Sequence, residues 1–474
     1  MTGIGEGAGG PAAFSSAEVR RLQRQVAGAI LLPGDDGYEA EKNGFERSLE
    51  HRPAVVVAAR GPDDVVAAVR WAGEQGLGVA VQATGHGTCV AADRDSVLVT
   101  TTRMSDVRVD AGARVAHVGA GARWADVIEP AADHGLVPLS GAAPGVGAVS
   151  YLLGGGLGLL SRRFGSPADH VRSLRVVTAD GRTTEASPRS RPDLFWGLRG
   201  SRGNLGIVVS ASIDLFPVDE FFGGGLFFDG AHTRAVLASY AEWVRTAPDS
   251  LCTSLCLLRF PPIPEIPDFL RGRFVVHVRV AYTGPASAAR PLLQPLREAA
   301  PLLQDTTAPM SYRLSGSIHN DPTTPMATVS RTMMLRNVDQ AALQVIEELA
   351  GPAAEAPFML ELRHMQGALA REATSSGAVG YYPEAEYNLF LLAPAEPHGD
   401  LGLTERLEDR VTSSLGPWAA PGKVSNFLIG PQSEADIRST YSGPTYEKLR
   451  KLKREFDPAN MFRYNLNIPP APDP

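Results

Sequence analysis

Apolar positions along this chain follow one style up to residue 216 and another beyond it. In the first part, short Val- and Ala-rich runs dominate. Residues 54–58 read Ala-Val-Val-Val-Ala, a length and β-branched content that predict a buried strand. Pro62 and Asp63 then open a helix in which Val65, Ala68, Val69 and Ala72 share one face at the i, i+3, i+4, i+7 spacing. A strand ending at Gln82 follows, then short strands at 96–101, 107–109 and 115–118 and a helix at 123–134. Residues 171–178 and 183–186 predict a hairpin around Asp180-Gly181, a pair that favours tight turns. Residues 207–216 alternate as a long strand stopped by Pro217.

Beyond Phe216, predicted strands at 225–228, 251–258, 274–281, 358–363 and 387–392 accompany helices at 233–246, 286–299 and 338–350, which reads as an α+β unit. The end of the chain turns helical and charged at 446–456 and closes on Arg463-Tyr464-Asn465-Leu466-Asn467-Ile468. Residues 1–15 predict a disordered tip, and no internal repeat is visible. A chain of 474 residues exceeds one typical core, so two domains are expected.

Composition narrows the function classes. Hydrophobic content of 44% and charged content of 20% are ordinary for a folded protein. A net charge of −7 and the lack of a basic stripe argue against a nucleic-acid partner. No apolar run approaches the ~18 residues of a membrane span, so no membrane association is expected. Cys89, Cys252 and Cys256 make neither a disulfide framework nor a zinc site, and no metal is expected. The first residues have neither the basic start nor the apolar stretch of a secretory signal, so a cytoplasmic protein is expected; a monomer or a homodimer is expected, with nothing in the sequence to choose between them.

The chemistry lies in the glycines. Gln82-Ala83-Thr84-Gly85-His86-Gly87 ends a strand and sets one histidine between two glycines. A second glycine-dense stretch holds Pro144, Val146 and Gly147, then Gly154, Gly155, Gly156 and Gly158. Glycine lets backbone N–H groups approach a ligand closely and adopt φ > 0, so two such loops suit a pyrophosphate cradle. A Gly-His-Gly at a strand end is also a common plain turn, and the three consecutive glycines could form a tight bend without a ligand. Neither the G-x-G-x-x-G nor the G-x-x-x-x-G-K-[ST] nucleotide pattern is present.

Taken in order, the motifs resemble the FAD-linked oxidases of the berberine-bridge-enzyme-like group, within the vanillyl-alcohol-oxidase/p-cresol-methylhydroxylase (PCMH) superfamily. The resemblance starts at Arg52-Pro53-Ala54 and Asp63-Asp64-Val65 and runs through Gly85-His86 and the Pro144, Val146, Gly147 segment. It continues at Gly154 to Gly158, Asp169-His170-Val171, Ala179-Asp180-Gly181 and Asp193 to Gly200. Gly203-Asn204-Leu205-Gly206-Ile207, Lys453 with Phe456-Asp457-Pro458 and Asn460-Met461-Phe462, and Asn465 with Asn467-Ile468 complete it. It implies a two-domain α+β flavoprotein with a PCMH-type FAD-binding domain at 20–217 and 425–474 and an antiparallel-sheet substrate domain at 218–424. It also implies FAD held by Gln82, Thr84, Gly85, His86, Gly87, Pro144, Val146, Gly147, Gly154, Gly155, Gly156, Gly158, Asn204, Gly206, Ile207, Asn465 and Asn467. In the family the histidine matching His86 is bound to the flavin 8α-methyl carbon, and a small residue near Val146 accompanies oxygen reactivity.

Two departures refine this. Ala143 stands where doubly linked relatives carry a cysteine, so a single link at His86 is implied. Gln82 begins a loop where the family often has arginine, which leaves backbone N–H groups to hold the pyrophosphate.

The substrate's proton acceptor stays open. By period-2 alternation Glu361 and Arg363 share one face of a strand and His364 the other, though a surface ion pair would read the same. Tyr441 resembles the place of a catalytic tyrosine in several relatives, with a packed aromatic as the alternative. Tyr312, His319 and Tyr382 are further pocket candidates; His117, His134 and His170 are expected to have no chemical role. The expected reaction is oxidation of an alcohol, amine or activated C–H of a small molecule, with dioxygen reduced to hydrogen peroxide, in specialised metabolism. The rivals are a monooxygenase-like enzyme, a dehydrogenase with a non-oxygen acceptor, and a non-enzymatic flavin binder.

Overall fold

A computed structural model describes residues 15–354, 356–371, 377–395 and 402–473; the tip predicted at 1–15 lies almost wholly outside the described residues. Three large sheets organise the described residues, beside a two-stranded pairing of Leu136–Val137 with Phe216–Pro217. The first has the order Ala29–Leu31, Val55–Ala58, Ser96–Thr100, Gly78–Gln82, with its last three strands parallel. Its central strands are apolar on both faces: Val55, Val57, Val97 and Val99 pack under helix Pro62–Glu74, and Val56, Ala80 and Leu98 pack against Tyr38. Proline at the helix start, Asp63 and Asp64 in the first turn and the buried stripe Val65, Ala68, Val69, Ala72 form that helix as expected. Asp64 also accepts the N–H groups of Ala27 at 2.7 Å and Arg60 at 2.8 Å, which ties the strand ends to it.

The second sheet is antiparallel, in the order Val107–Asp110, Val115–Gly119, Ile207–Asp214, Val171–Val177, Thr183–Ala186. Gly181 turns the hairpin at φ +68°, a conformation that glycine adopts without strain. The third sheet carries nine strands, all antiparallel to their neighbours, drawn from Phe222–Asp229 to Ala419–Ala420. One face is apolar: Leu226, Val278, Leu255, Leu362 and Leu389 pack under helices Thr233–Trp243, Ala286–Arg297 and Gln340–Ala350. Burying each such side chain is worth ~1.5–3 kcal/mol. The other face is polar, and period 2 delivers Ser254, Arg279, Glu361, Arg363, Asn388 and Thr332 to it.

Several elements differ from the sequence pattern. Strand Ala327–Leu335 lies inside the third sheet, but Arg331 interrupts its apolar row of Ala327, Val329, Met333 and Leu335. Thr328, Ser330 and Thr332 look to the polar face, while Arg331 on the opposite face bonds Asp409 of helix Gly402–Ser414 at 2.7 Å. Short helices Ala148–Leu153 and Pro192–Leu198 were also not predicted; too short to be stable alone, they are set by packing. Among the described residues no helix is long and apolar enough to cross a membrane.

The C-terminal signature is a clamp. Lys453 and Asp457 are fully buried and paired at 2.7 Å. Asp457 also accepts the N–H groups of Met461 at 2.7 Å and Phe462 at 2.9 Å, while Lys453 donates to the carbonyl oxygens of Asn204 at 2.8 Å and Phe462 at 2.9 Å. The chain end is thereby fastened to the 203–207 block.

Candidate active site

The histidine loop is built by close backbone approach. Gly85 has φ +70°, and a Cβ there would meet the Cα of Gly44 at 2.5 Å. The segment carrying Gly44 runs alongside: Phe45 N–H donates to the Thr84 carbonyl at 2.9 Å and Glu46 N–H to that of Gly85 at 3.0 Å. This lays the Phe45 ring on the His86 imidazole, with centroids 4.0 Å apart and planes 11° from parallel. His86 Nδ1 lies 2.8 Å from Thr84 Oγ1, and that oxygen accepts the Gly147 N–H at 3.1 Å. Thr84 therefore joins the two loops that the sequence separates. Burial lowers the His86 pKa to about 4, so the imidazole is neutral at physiological pH. Gly87 borders Arg202, whose guanidinium donates to the Gly87 carbonyl at 2.8 Å and to that of Leu428 at 3.2 Å.

In the second loop, Gly147 caps helix Ala148–Leu153. The carbonyls of Pro144 and Val146 receive the N–H groups of Ala125 and Trp124, both at 2.9 Å. The expectation that residues 154–158 offer N–H groups to a pyrophosphate is not met at 156 and 158. Gly156 N–H donates to Asn426 Oδ1 and Gly158 N–H to Ser161 Oγ, both at 2.8 Å. A Cβ at Gly154 would strike the Asn426 amide at 2.8 Å, at Gly155 the Val379 side chain at 2.7 Å, and at Gly158 the Ser140 carbonyl at 2.0 Å. These glycines let protein segments meet.

Asn204, Gly206 and Ile207 also serve packing. Asn204 is fully buried and satisfied: it donates to the carbonyls of Ser201 at 2.7 Å and Leu466 at 2.9 Å and accepts Ile468 N–H at 2.8 Å. Gly206 has φ +144° and would place a Cβ 2.7 Å from the Val177 carbonyl, and Ile207 is buried in the core beside it.

Do the residues present fit FAD? Gln82 Oε1, Tyr151 Oη, Asn465 Oδ1 and Asn467 Oδ1 are buried without a hydrogen-bond partner. Leaving such a group unpaired costs ~1–3 kcal/mol, and the hydroxyl and amino donors of a ribityl chain, a ribose and an adenine match these oxygens. Beside Thr84 a cavity of about 620 Å³ opens, walled in part by Thr102, Ser105, Gly121 and Arg123. The orphaned oxygens, the cavity and the neutral imidazole fit the cofactor.

On the polar face of the third sheet, Glu361 and Arg363 come together as the alternation predicts, and His364 points to the helix side, where it neighbours Tyr387. Glu361 is buried. Its Oε1 accepts from Arg279 Nη1 at 3.0 Å, its Oε2 from Arg363 Nη2 at 3.0 Å, and His319 Nδ1 lies 3.9 Å from Oε1. Burial alone would raise this carboxyl, but Arg363 and Arg279 outweigh it and hold it well below the usual carboxylate range. Burial, aided by Arg279, holds His319 neutral. Arg363 Nη1 donates to the Leu157 carbonyl at 3.1 Å, which brings this cluster against the 154–158 loop.

Tyr441 stands apart from that cluster. Its hydroxyl donates to the Gly200 carbonyl at 2.9 Å, its ring packs with Val379, Tyr446 and Leu449, and burial raises its pKa. Arg363, a cation that could lower a tyrosine's pKa, is engaged by Glu361. Tyr312 bonds Ser140 at 2.8 Å in the core, and Tyr382 lies in a separate apolar cluster with Met365 and Leu369. His117 pairs with Ser212, His134 is exposed, and His170 bonds the Phe164 carbonyl.

Sequence reasoning missed Phe45, Arg202, Arg279 and Asn426. Arg279 had a readable signal: His277 and Arg279 alternate with valines inside strand Phe274–Tyr282. The other three act across long separations and carry no local pattern.

A family model described as an FAD binding domain matches residues 53–187, and one described as berberine and berberine like matches residues 426–469. The chain is 25% identical to (R)-6-hydroxynicotine oxidase of Paenarthrobacter nicotinovorans, over 94% of this chain and 97% of that one. It is 32% identical to the FAD-dependent monooxygenase FUP4 of Fusarium proliferatum over 49% of this chain and 45% of that one. The solved structure of 6-hydroxy-D-nicotine oxidase from Arthrobacter nicotinovorans superposes with a TM-score of 0.82 at 21% identity, covering 94% of this chain and 98% of that one.

Proposed function

Because this chain belongs to the berberine-bridge-enzyme-like group of FAD-linked oxidases, we propose that it oxidises a small alcohol or amine at the polar face of the third sheet, with FAD joined once to the chain, at His86. Bound FAD supplies two-electron acceptance from the substrate carbon and delivery of those electrons to dioxygen, which yields hydrogen peroxide. The observation that carries the reading is the buried Glu361 carboxylate, held between Arg279 and Arg363 beside neutral His319 and against the 154–158 loop.

Each residue has a stated part. Glu361 and His319 receive the O–H or N–H proton of the substrate, the imidazole taking it and the carboxylate steadying the resulting imidazolium. Arg279 and Arg363 keep the carboxylate ionised and oriented. Gln82, Tyr151, Asn465 and Asn467 offer acceptor oxygens to the cofactor. The division into a cofactor part at 20–217 and 425–474 and a substrate part at 218–424 belongs to this proposal, and the span of the third sheet supports it.

A screen of alcohols and amines scored by anaerobic bleaching of the flavin, followed by peroxide detection in air, tests the reading. A substrate that bleaches the flavin and releases peroxide stoichiometrically supports it; bleaching without peroxide in air overturns the oxidase assignment. The likeness to a named monooxygenase over half the chain favours one rival, and incorporation of labelled oxygen into product would establish it.

A further inference from the structure

Three neighbouring strands set a row of polar side chains across the third sheet. Their register puts Arg279 opposite Ser254 and Ser254 opposite Arg363, so two guanidinium groups stand on either side of one serine. The Glu361 carboxylate on the same face engages each of them through an Nη atom only. Arg363 gives its other Nη to the Leu157 carbonyl. The Nε–H of Arg279 and the Nε–H of Arg363 are both buried without a hydrogen-bond partner. A guanidinium can only donate, and a buried donor without an acceptor is unfavourable.

The charges are unequal in the same direction. Two guanidinium groups are paired with one carboxylate, and His319 beside them is neutral. Asp321, a further carboxyl whose field reaches Arg279, forms no ion pair with either arginine among the described residues. The row thus holds one positive charge more than its ion pairs answer. Arg279, Ser254, His319 and Arg363 border one cavity of about 20 Å³, closed on the other side by Leu157 and Leu159. Arg162, also on its wall, is bonded to the carbonyls of Pro248 and Met365 and paired with Asp249. One water-sized atom needs ~10–15 Å³, so the cavity takes one or two oxygen atoms, as a carboxylate presents, and not a tetrahedral phosphate.

We propose that Arg279 and Arg363 form a carboxylate-binding subsite, so that the molecule oxidised is a small organic acid that carries its alcohol or amine a few bonds from the acid group. This rests on the reading that the substrate is oxidised at the polar face of the third sheet. The planar guanidinium edge suits a carboxylate, and the Nε–H groups left over by Glu361 supply the donors. With the acid in place, two guanidinium groups face two carboxylates. His319 Nδ1 and Arg279 Nη1 lie 3.9 and 3.0 Å from the same Glu361 oxygen, so the proton that the imidazole receives comes from an atom close to the bound acid group. A neutral alcohol or amine would leave both Nε–H groups unpaired, and a site with unpaired buried donors discriminates against such a ligand.

The test titrates the holoprotein by calorimetry and flavin absorbance, at constant ionic strength, with propionate and with its neutral isostere propionamide. Propionate is expected to bind ~10-fold or more tightly than propionamide and to perturb the flavin spectrum, the difference expected of a charge-assisted bond against a neutral one. Equal affinity for the two overturns the proposal. Nitrate, a planar anion with no carbon chain, and inorganic phosphate are titrated in parallel. If either binds as tightly as propionate, the site takes free anions and the assignment to a substrate acid fails. In a second arm, Arg279→Gln and Arg363→Gln are each expected to weaken propionate ~10-fold or more while leaving propionamide within threefold. Propionate affinity that survives both substitutions in folded holoprotein overturns the subsite. The underlying reading fails separately. Selective propionate binding by a protein whose flavin no acid, alcohol or amine bleaches keeps the subsite and removes the oxidation assigned to this face. Peroxide-yielding turnover of a neutral alcohol, unchanged by saturating propionate, keeps the oxidase and removes the subsite.

Discussion

Replacing Glu361 by Gln keeps the shape of the side chain and removes its charge. Arg279 and Arg363 each approach a carboxylate oxygen at 3.0 Å, and all three side chains are largely buried. With charge centres ~4 Å apart and an effective dielectric near 20, each pair is worth ~4 kcal/mol before desolvation. The cost of burying the ions cancels much of that, but it was met when the whole cluster formed. Removing the carboxylate that hydrogen-bonds both arginines leaves two buried guanidinium groups without their ion-pair partner, for which a loss of ~3–5 kcal/mol is expected. Catalysis should fall with it. If Glu361 steadies the imidazolium of His319, anaerobic flavin reduction slows by ~10²-fold or more, while reoxidation by dioxygen, which moves no substrate proton, is unchanged. The pH dependence follows from the sign of the shift. A carboxyl held below its ordinary value contributes stability above its unfolded pKa and loses it as pH falls through the folded value, so the wild-type advantage over Glu361→Gln shrinks only in acid. The assays are urea unfolding of the holoprotein and stopped-flow reduction. A variant within 1 kcal/mol of wild type refutes the ionic-anchor argument; reduction slowed less than tenfold places the proton acceptor elsewhere.

Four other changes are informative. His86→Ala should leave only dissociable FAD, and peptide mapping of wild type should find the flavin on one peptide; an adduct on Cys89, Cys252 or Cys256 contradicts the single link. Tyr441→Phe should cost ~0.5–1.5 kcal/mol for the lost bond to Gly200, with flavin reduction within tenfold of wild type; a larger kinetic loss would return Tyr441 to the substrate site. Asp457→Asn strands the buried Lys453 ammonium and should destabilise by ~3–5 kcal/mol in urea titration, and a cost under 1 kcal/mol would show the clamp to be unimportant. Glu408 is fully buried with neither oxygen bonded, and burial raises its pKa from 4.5 to about 8. Its protonated form is the folded one, so wild-type stability falls as pH rises from 4.5 to about 8. Glu408→Gln should gain on wild type by ~1.4 kcal/mol per pH unit across that window; a gap that stays flat with pH would contradict the shift.

What the sequence determined by itself was whatever rests on local periodicity. Helix Pro62–Glu74 shows its buried stripe, its proline and its first-turn acids within one short window. The pairing of Glu361 with Arg363 on one face, and of His364 on the other, follows from the two-residue repeat of a strand. The order of the motifs carried the family, because it needs no geometry. Tertiary structure decided everything that depends on distant partners. Arg279 reaches Glu361 across 82 residues and Arg363 reaches Leu157 across 206. Strand Ala327–Leu335 is hard to read in the pattern because Arg331 sits in its apolar row to pair with Asp409, and Met334 sits on its polar face, which breaks the alternation. The glycines were legible as positions but not as purposes. A missing side chain permits close approach without saying by what, and at 154–158 the approaching groups are Asn426, Val379 and Ser140. Thr84 shows the same limit: its hydroxyl links two loops 63 residues apart, a contact that exists only once the chain has folded.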